Sequence, residues 1–183
     1  MFKRISNPVI REALDWAFHI AIAVAIGLLI VNFVVQRTVV NKQSMEPNLH
    51  EGDNLWVEKV SSYFHSFHRG DIVTVYYPEQ LPQGEKLLIK RIIGLPGDKV
   101  EIKNGKVYIN GKQLKEKYLK DTVVTDPLQY GNLTVPKGKL FVLGDNRGNS
   151  KDSRMFGPVE FSRIRGRAIF RFFPFNKIGF LPK

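Results

Sequence analysis

From Trp16 to Val35 the chain reads WAFHIAIAVAIGLLIVNFVV, a run without a single Asp, Glu, Lys or Arg. As a helix, about 20 such residues extend about 30 Å, the thickness of a bilayer hydrocarbon core. A cleavable secretory signal has a shorter apolar core and a small-residue cleavage site, whereas QRTVV follows Val35 here. A buried core helix is seldom so long and so uniformly apolar. The reading is therefore a transmembrane anchor over 16–35, with Trp16 at its interfacial edge and His19 and Asn32 as tolerated polar interruptions. Lys3, Arg4 and Arg11 precede the span, partly offset by Glu12 and Asp15, and Arg37 and Lys42 follow it. That balance makes 1–15 a cytoplasmic N-terminus and 36–183 an extracytoplasmic domain.

The anchor decides how the charge is read. The net charge of +11 resides almost wholly in residues 16–183, and a basic excess suits either nucleic acid or an anionic membrane surface. A domain outside the cell meets lipid headgroups, so membrane lipid is the expected partner and nucleic acid is not. The chain has no cysteine, which removes disulfides, thiolate catalysis and Cys-based zinc sites.

Residues 36–183 are read as mainly β, an antiparallel sheet or barrel. Strands are expected at GDNLWVEKV (52–60), GDIVTVYYP (70–78), LLIKRIIG (87–94), Lys139–Leu143 and Arg167–Phe173. The strongest local signal is DKVEIKNGKVYINGK (98–112), where Val100/Ile102 and Val107/Ile109 alternate around Asn104-Gly105, a two-residue hairpin turn. SSYFHSFHR (61–69) suits a short helix or a loop, and 113–134 is a polar excursion from the sheet. The aromatic segment FFPFNKIGFLP reads first as sheet core, with an interfacial role as the alternative.

Three features could carry chemistry. Ser44 lies in NKQSMEPNLHEGD, a turn-rich stretch just after the anchor. Lys90 interrupts LLIKRII, where a solvated charge does not belong. Burial would lower its pKa towards that of a general base; locally, the commoner outcome is a lysine that points out of an edge strand and snorkels. GDNRGNSKDSRMFG (144–157) follows a strand and mixes Asp145, Arg147, Asp152 and Arg154, as in a loop held by ion pairs, in a solvated turn, or in a phosphate or metal site. His50 could form a triad with Ser44, and His65 and His68 could bind zinc with Glu51, but ligand number and spacing are incomplete. Gly94-Leu95-Pro96-Gly97 lacks the ending of a phosphate loop, and Asn132-Leu133-Thr134 is a chance-prone glycosylation triplet. No cofactor is expected.

SMEPNL followed by GD, RGDIV, KRIIGLPGD and GDNRGNSKDSR, in this order behind an N-terminal anchor, resemble the boxes of bacterial type I signal peptidases. The resemblance runs from Val40 to about Phe173, and the small size and single span are similar to the short Gram-positive enzymes. It implies a serine endopeptidase that cuts exported preproteins after Ala-x-Ala-type signal peptides, with Ser44 as nucleophile and Lys90 as general base. It further implies that Ser150 orients the Lys90 amine, that Asp145 pairs with Arg91 and Asp152 with Arg154, and that the Ser44 N–H is an oxyanion donor. Val40, Leu49 and Ile89 would line small apolar pockets, and the preprotein would bind as an added strand. Two positions depart from the pattern: Lys42 stands where Gly or Ser is usual, and Asn48 where Thr is usual. A membrane-tethered β-domain that binds without catalysis is the alternative function.

Overall fold

The computed structural model describes residues 8–77, 79 and 87–183. Residues 1–7 of the expected cytoplasmic flank and Pro78 of the expected strand 70–78 lie outside them. The chain divides into an N-terminal unit, 1–36, and a second unit, 37–183.

The first unit is helix α1 (Pro8–Leu29), continued by a π-helical turn at Ile30–Val34. Pro8–Val34 is long and apolar enough to cross a membrane, with a mean hydropathy of 2.4 over its most apolar window. Its polar side chains bond backward along the same helix, His19 Nδ1 to Asp15 O at 2.6 Å and Asn32 Nδ2 to Leu28 O at 2.8 Å. Such bonds lower the cost of a polar group where water is absent.

The second unit is built on two antiparallel sheets. The larger uses β1 (Val35–Val39), β2 (Asn54–Glu58), β3 (Ile72–Tyr76), β4 (Leu87–Gly94), β9 (Lys139–Leu143), β10 (Val159–Glu160), β11 (Ile164–Phe173) and β12 (Gly179–Phe180), in the order β1-β2-β11-β3-β4-β9-β10 with β12 on β11. The smaller uses β5 (Lys99–Lys103), β6 (Lys106–Ile109), β7 (Lys112–Gln113) and β8 (Asn132–Thr134), in the order β7-β6-β5-β8. The hairpin falls where the sequence places it: Lys103 faces Lys106, and Asn104 and Gly105 take the positive φ values of 51° and 73° that this turn demands. The expected excursion 113–134 ends in β8, which pairs with β5, and 60–64 is the short helix α2 (Val60–Phe64).

β4 explains the continuous apolar run around Lys90. It is hydrogen-bonded to β3 on one side and β9 on the other, and both of its faces are covered. Leu88 and Ile92 enter one core cluster with Val73, Val75 and Val142, while Ile89 enters a second with Met45, Leu49 and Leu55. A central strand covered on both faces reads as unbroken hydrophobicity rather than alternation. Lys90 therefore does not point out of an edge strand; it is 1% exposed.

The sheets are joined by a third cluster, in which Ile93, Phe141 and Leu143 of the larger meet Val100, Ile102 and Val107 of the smaller. Asp98 stands at the junction. Its Oδ2 accepts from the Leu95 N–H at 2.6 Å and from Arg69 at 3.0 Å, and its Oδ1 accepts from Asn110 at 2.8 Å. The C-terminal segment departs from the sheet-core reading: Phe172 packs against Trp56, but Phe173, Phe175, Ile178 and Phe180 are exposed.

Removal of the Asp98 carboxylate leaves Arg69 and Asn110 without this acceptor. Asp98→Ala is expected to destabilise the β-domain by about 2–3 kcal/mol, read from thermal or urea unfolding of the full chain in detergent.

Candidate active site

Ser44 lies in a single 3₁₀ turn, Gln43–Met45, whose last residue is wholly buried. Met45 anchors the turn in the cluster with Val40, Leu49 and Ile89. The Asn146 N–H donates to Ser44 O at 3.1 Å, and the Asn146 side-chain amide donates to Gln43 O at 3.1 Å. The turn is thus held both from below and by the loop that follows β9.

Lys90 meets Ser44 here. Its Nζ lies 2.7 Å from Ser44 Oγ. Burial pushes the lysine down to about 8, assisted by the positive charges of Lys42 and Arg154 and opposed by the carboxylates of Asp152 and Asp145. Burial outweighs those carboxylates, and each of them is already engaged by an arginine. Arg91 forks onto Asp145, Nε to Oδ1 at 2.8 Å and Nη2 to Oδ2 at 2.7 Å, with both side chains fully buried. Arg154 forks onto Asp152 in the same manner, both bonds at 2.9 Å. Asp152 also accepts from the Gly144 N–H and caps the short helix α3 (Ser153–Phe156) through the Arg154 N–H. Lys90 is left beside two paired aspartates, and among the described residues no ion pair joins it to a carboxylate.

The expected bond from Ser150 to Lys90 is not formed. Ser150 Oγ is buried without a hydrogen-bond partner among the described residues. It does lie at the site: a Cβ added to Gly144 would sit 2.2 Å from Ser150 Oγ and 2.5 Å from Ser44 O. Only glycine lets the loop pass between them.

The contributions of Asn48 and Tyr118 were not foreseen. Asn48, noted only as a departure from a pattern, donates from one amide nitrogen to Asp145 Oδ2 at 2.8 Å and to Tyr118 O at 2.9 Å. Tyr118 itself lies over the Arg91 guanidinium, 3.8 Å from its ring centre, and burial raises its hydroxyl pKa. Arg147, placed in a loop of ion pairs, binds Glu116 and the Thr125 hydroxyl, which draws the 113–134 excursion onto the site. Among the described residues no hydrogen bond joins His50 to Ser44, and its Nδ1 is buried without a partner. His65 stacks on Phe161 and His68 faces Asp71; no three His, Asp or Glu side chains converge among the described residues.

Residues 13–173 match the family model described as signal peptidase, peptidase S26. The chain belongs to this family. It is 44% identical over 174 residues to a signal peptidase I of Bacillus amyloliquefaciens, covering 90% of each chain. It is 42% identical over 178 residues to signal peptidase I S of Bacillus subtilis, covering 92% of this chain and 93% of that one. A probable signal peptidase I-1 of Synechocystis is 43% identical over 164 residues, covering 86% of this chain and 81% of that one. A solved signal peptidase I from Enterococcus faecalis is 35% identical and covers 56% of this chain and 96% of its own, with a TM-score of 0.46.

The buried amine makes a prediction about stability. An unfolded lysine titrates near 10.4 and the folded one near 8. Between these values the folded state binds fewer protons, so Lys90 costs stability below pH 8 and that cost fades as the pH rises through this window. Lys90→Met is expected to raise the melting temperature at pH 6 and to raise it less at pH 10, measured in detergent by scanning calorimetry.

Proposed function

We propose that this peptidase-family chain is a membrane-bound serine endopeptidase that removes signal peptides from exported preproteins after Ala-x-Ala-type sites, with Ser44 as nucleophile and Lys90 as general base. The observation that carries the reading is the 2.7 Å contact between Lys90 Nζ and Ser44 Oγ inside a pocket dry enough to hold the lysine near 8. At pH 7 about a tenth of such lysines are neutral. In that fraction the hydroxyl donates to the amine lone pair, and Oγ attacks the scissile carbonyl as its proton passes to Nζ. The Ser44 N–H stabilises the resulting oxyanion. The Lys90 ammonium then protonates the departing amine, and the neutral lysine activates water against the acyl-enzyme.

The surrounding residues take supporting roles. Arg91–Asp145 and Arg154–Asp152 fix the strand and loop that flank the amine, and Ser150 orients that amine once substrate is bound. Val40, Leu49 and Ile89 floor the subsites for residues before the cut. They are already packed with Met45, which favours methyl-sized side chains above them. The preprotein binds as an added strand. The N-terminus is cytoplasmic and the β-domain extracytoplasmic, close to anionic lipid and away from nucleic acid.

Detergent-solubilised protein incubated with an Ala-x-Ala preprotein is expected to yield one cut, read by mass spectrometry. Ser44→Ala and Lys90→Arg are each expected to lower kcat by at least about 1000-fold, the second because a guanidinium stays protonated. Since the neutral amine is the active form, kcat/KM is expected to rise with pH through about 8. Full activity of Lys90→Arg with an unchanged pH profile would sink the dyad, and no cleavage by the intact chain would favour a non-catalytic binding domain.

A further inference from the structure

The excursion between β7 and β8 builds a groove that the dyad does not use. Its first recess, about 440 Å³, begins at Glu46 and Pro47, directly after the nucleophile turn, and is completed by Val123, Val124, Asn146 and Gly148. A second recess of about 670 Å³ continues from it, since Lys120 and Val123 line both. The second is basic: Lys106, Lys115, Lys117 and Lys120 face it, against the carboxylates of Glu116 and Asp121. Glu116 is already taken by Arg147 and by the Tyr118 hydroxyl. Lys106 Nζ is tied to the Asp121 carbonyl at 2.7 Å, which fixes the end of the recess.

The nucleophile turn borders both the groove and the apolar cluster. Met45 packs in the cluster of Val40, Leu49 and Ile89, whereas Glu46 and Pro47 line the groove, and the two sets share no residue.

We infer that this groove receives the segment of the preprotein that follows the cut and favours acidic residues there. The inference rests on the endopeptidase reading above. The recess next to Ser44 is faced by Pro47, Val123 and Val124 and suits a small or apolar side chain; the lysine recess beyond it suits Asp or Glu. An extended chain advances about 3.3 Å per residue, so six residues span about 20 Å, and in two recesses in series the lysines of the second face positions about three to six beyond the bond. At an exposed site the attraction is screened by salt over about 8 Å at physiological ionic strength, so it acts as a selectivity filter rather than as the main source of affinity.

The test uses the full chain in neutral detergent and a preprotein series that differs only at positions three to six after the cut, carrying Glu, Ser or Lys. The expected kcat/KM for the Glu substrate exceeds that for the Lys substrate by about tenfold at low salt, mainly through KM, and the ratio shrinks towards one in 1 M salt. Lys115→Ala/Lys117→Ala/Lys120→Ala is expected to flatten the ratio, and Lys120→Glu to move it towards the Lys substrate. Binding of the same series to the uncleaving Ser44→Ala variant, by fluorescence anisotropy, supplies a readout independent of turnover. Equal binding of all three substrates, or a preference that survives the triple substitution, overturns the inference. So does a charge preference that appears only with anionic vesicles, which would give the lysines to lipid headgroups. Graded binding without any cleavage supports the groove and sinks the catalytic reading alone.

Discussion

The buried fork between Arg91 and Asp145 is the interaction on which the site depends. Two charges withdrawn from water cost several kcal/mol each unless geometry and further hydrogen bonds make up the loss. Here they do. Arg91 spends two nitrogens on Asp145 and a third on the carbonyls of Gly70 and Pro182, at 2.9 and 2.6 Å, with the Tyr118 ring over its face. Asp145 in turn accepts from Asn48. A single pair thus ties together β4, the loop after β9, the turn that carries Ser44, the excursion and the C-terminal end of the chain. Loss of one partner would strand the other in a dry interior, so these segments keep their places together.

That fork also bears on how a lysine next to two aspartates is held down at about 8. A free carboxylate beside Lys90 would hold it as an ammonium. Asp145 and Asp152 each have an arginine in a two-bond fork. Their field still raises the Lys90 pKa, but desolvation lowers it more, and the charges of Lys42 and Arg154 add a smaller lowering. The arginines act on Lys90 indirectly, by occupying its potential counter-ions.

Much of this was legible in the sequence, and the omissions have physical causes. β2, β3, β5, β6 and β9 announce themselves because alternation and turn residues are local properties. β1, β7, β8, β10 and β12 do not, since strands of two or three residues exist only through the partner they meet, and even β1 carries no turn signal of its own. The ambiguity of Lys90 was real: whether it snorkels or is buried depends on β9, which lies about fifty residues later and covers the other edge of β4. Ser44, Asp145, Asp152 and Arg154 stood out locally, while the pairing of Asp145 with Arg91 and of Asp152 with Arg154 was implied only by a resemblance; both ion pairs form. Asn48 was seen only as a departure, because its partners Asp145 and Tyr118 are remote in sequence. The aromatic C-terminus was read first as core, with an interfacial role as the alternative, because aromatic β-rich composition is the same whether a strand is covered or, like Phe175 and Phe180, left open.

Ser150 marks the limit of what pairing rules can assign. Its hydroxyl is buried at the point where Gly144 squeezes between it and the Ser44 carbonyl, yet it bonds to none of the described residues. A buried hydroxyl without a partner costs on the order of 1–3 kcal/mol, an arrangement a fold keeps only where something else demands it. In the reaction proposed above, the amine of Lys90 changes partners, giving up the Ser44 hydroxyl when that oxygen becomes part of an ester. An acceptor held close by but not already committed then has a use that a satisfied one would not. The hydrogen bonds divide accordingly: Arg91 and Asp152 are over-bonded, and the groups that the proposed reaction asks to exchange protons or partners have few bonds. Rigidity around the dyad and spare bonding capacity within it are two results of one distribution of hydrogen bonds.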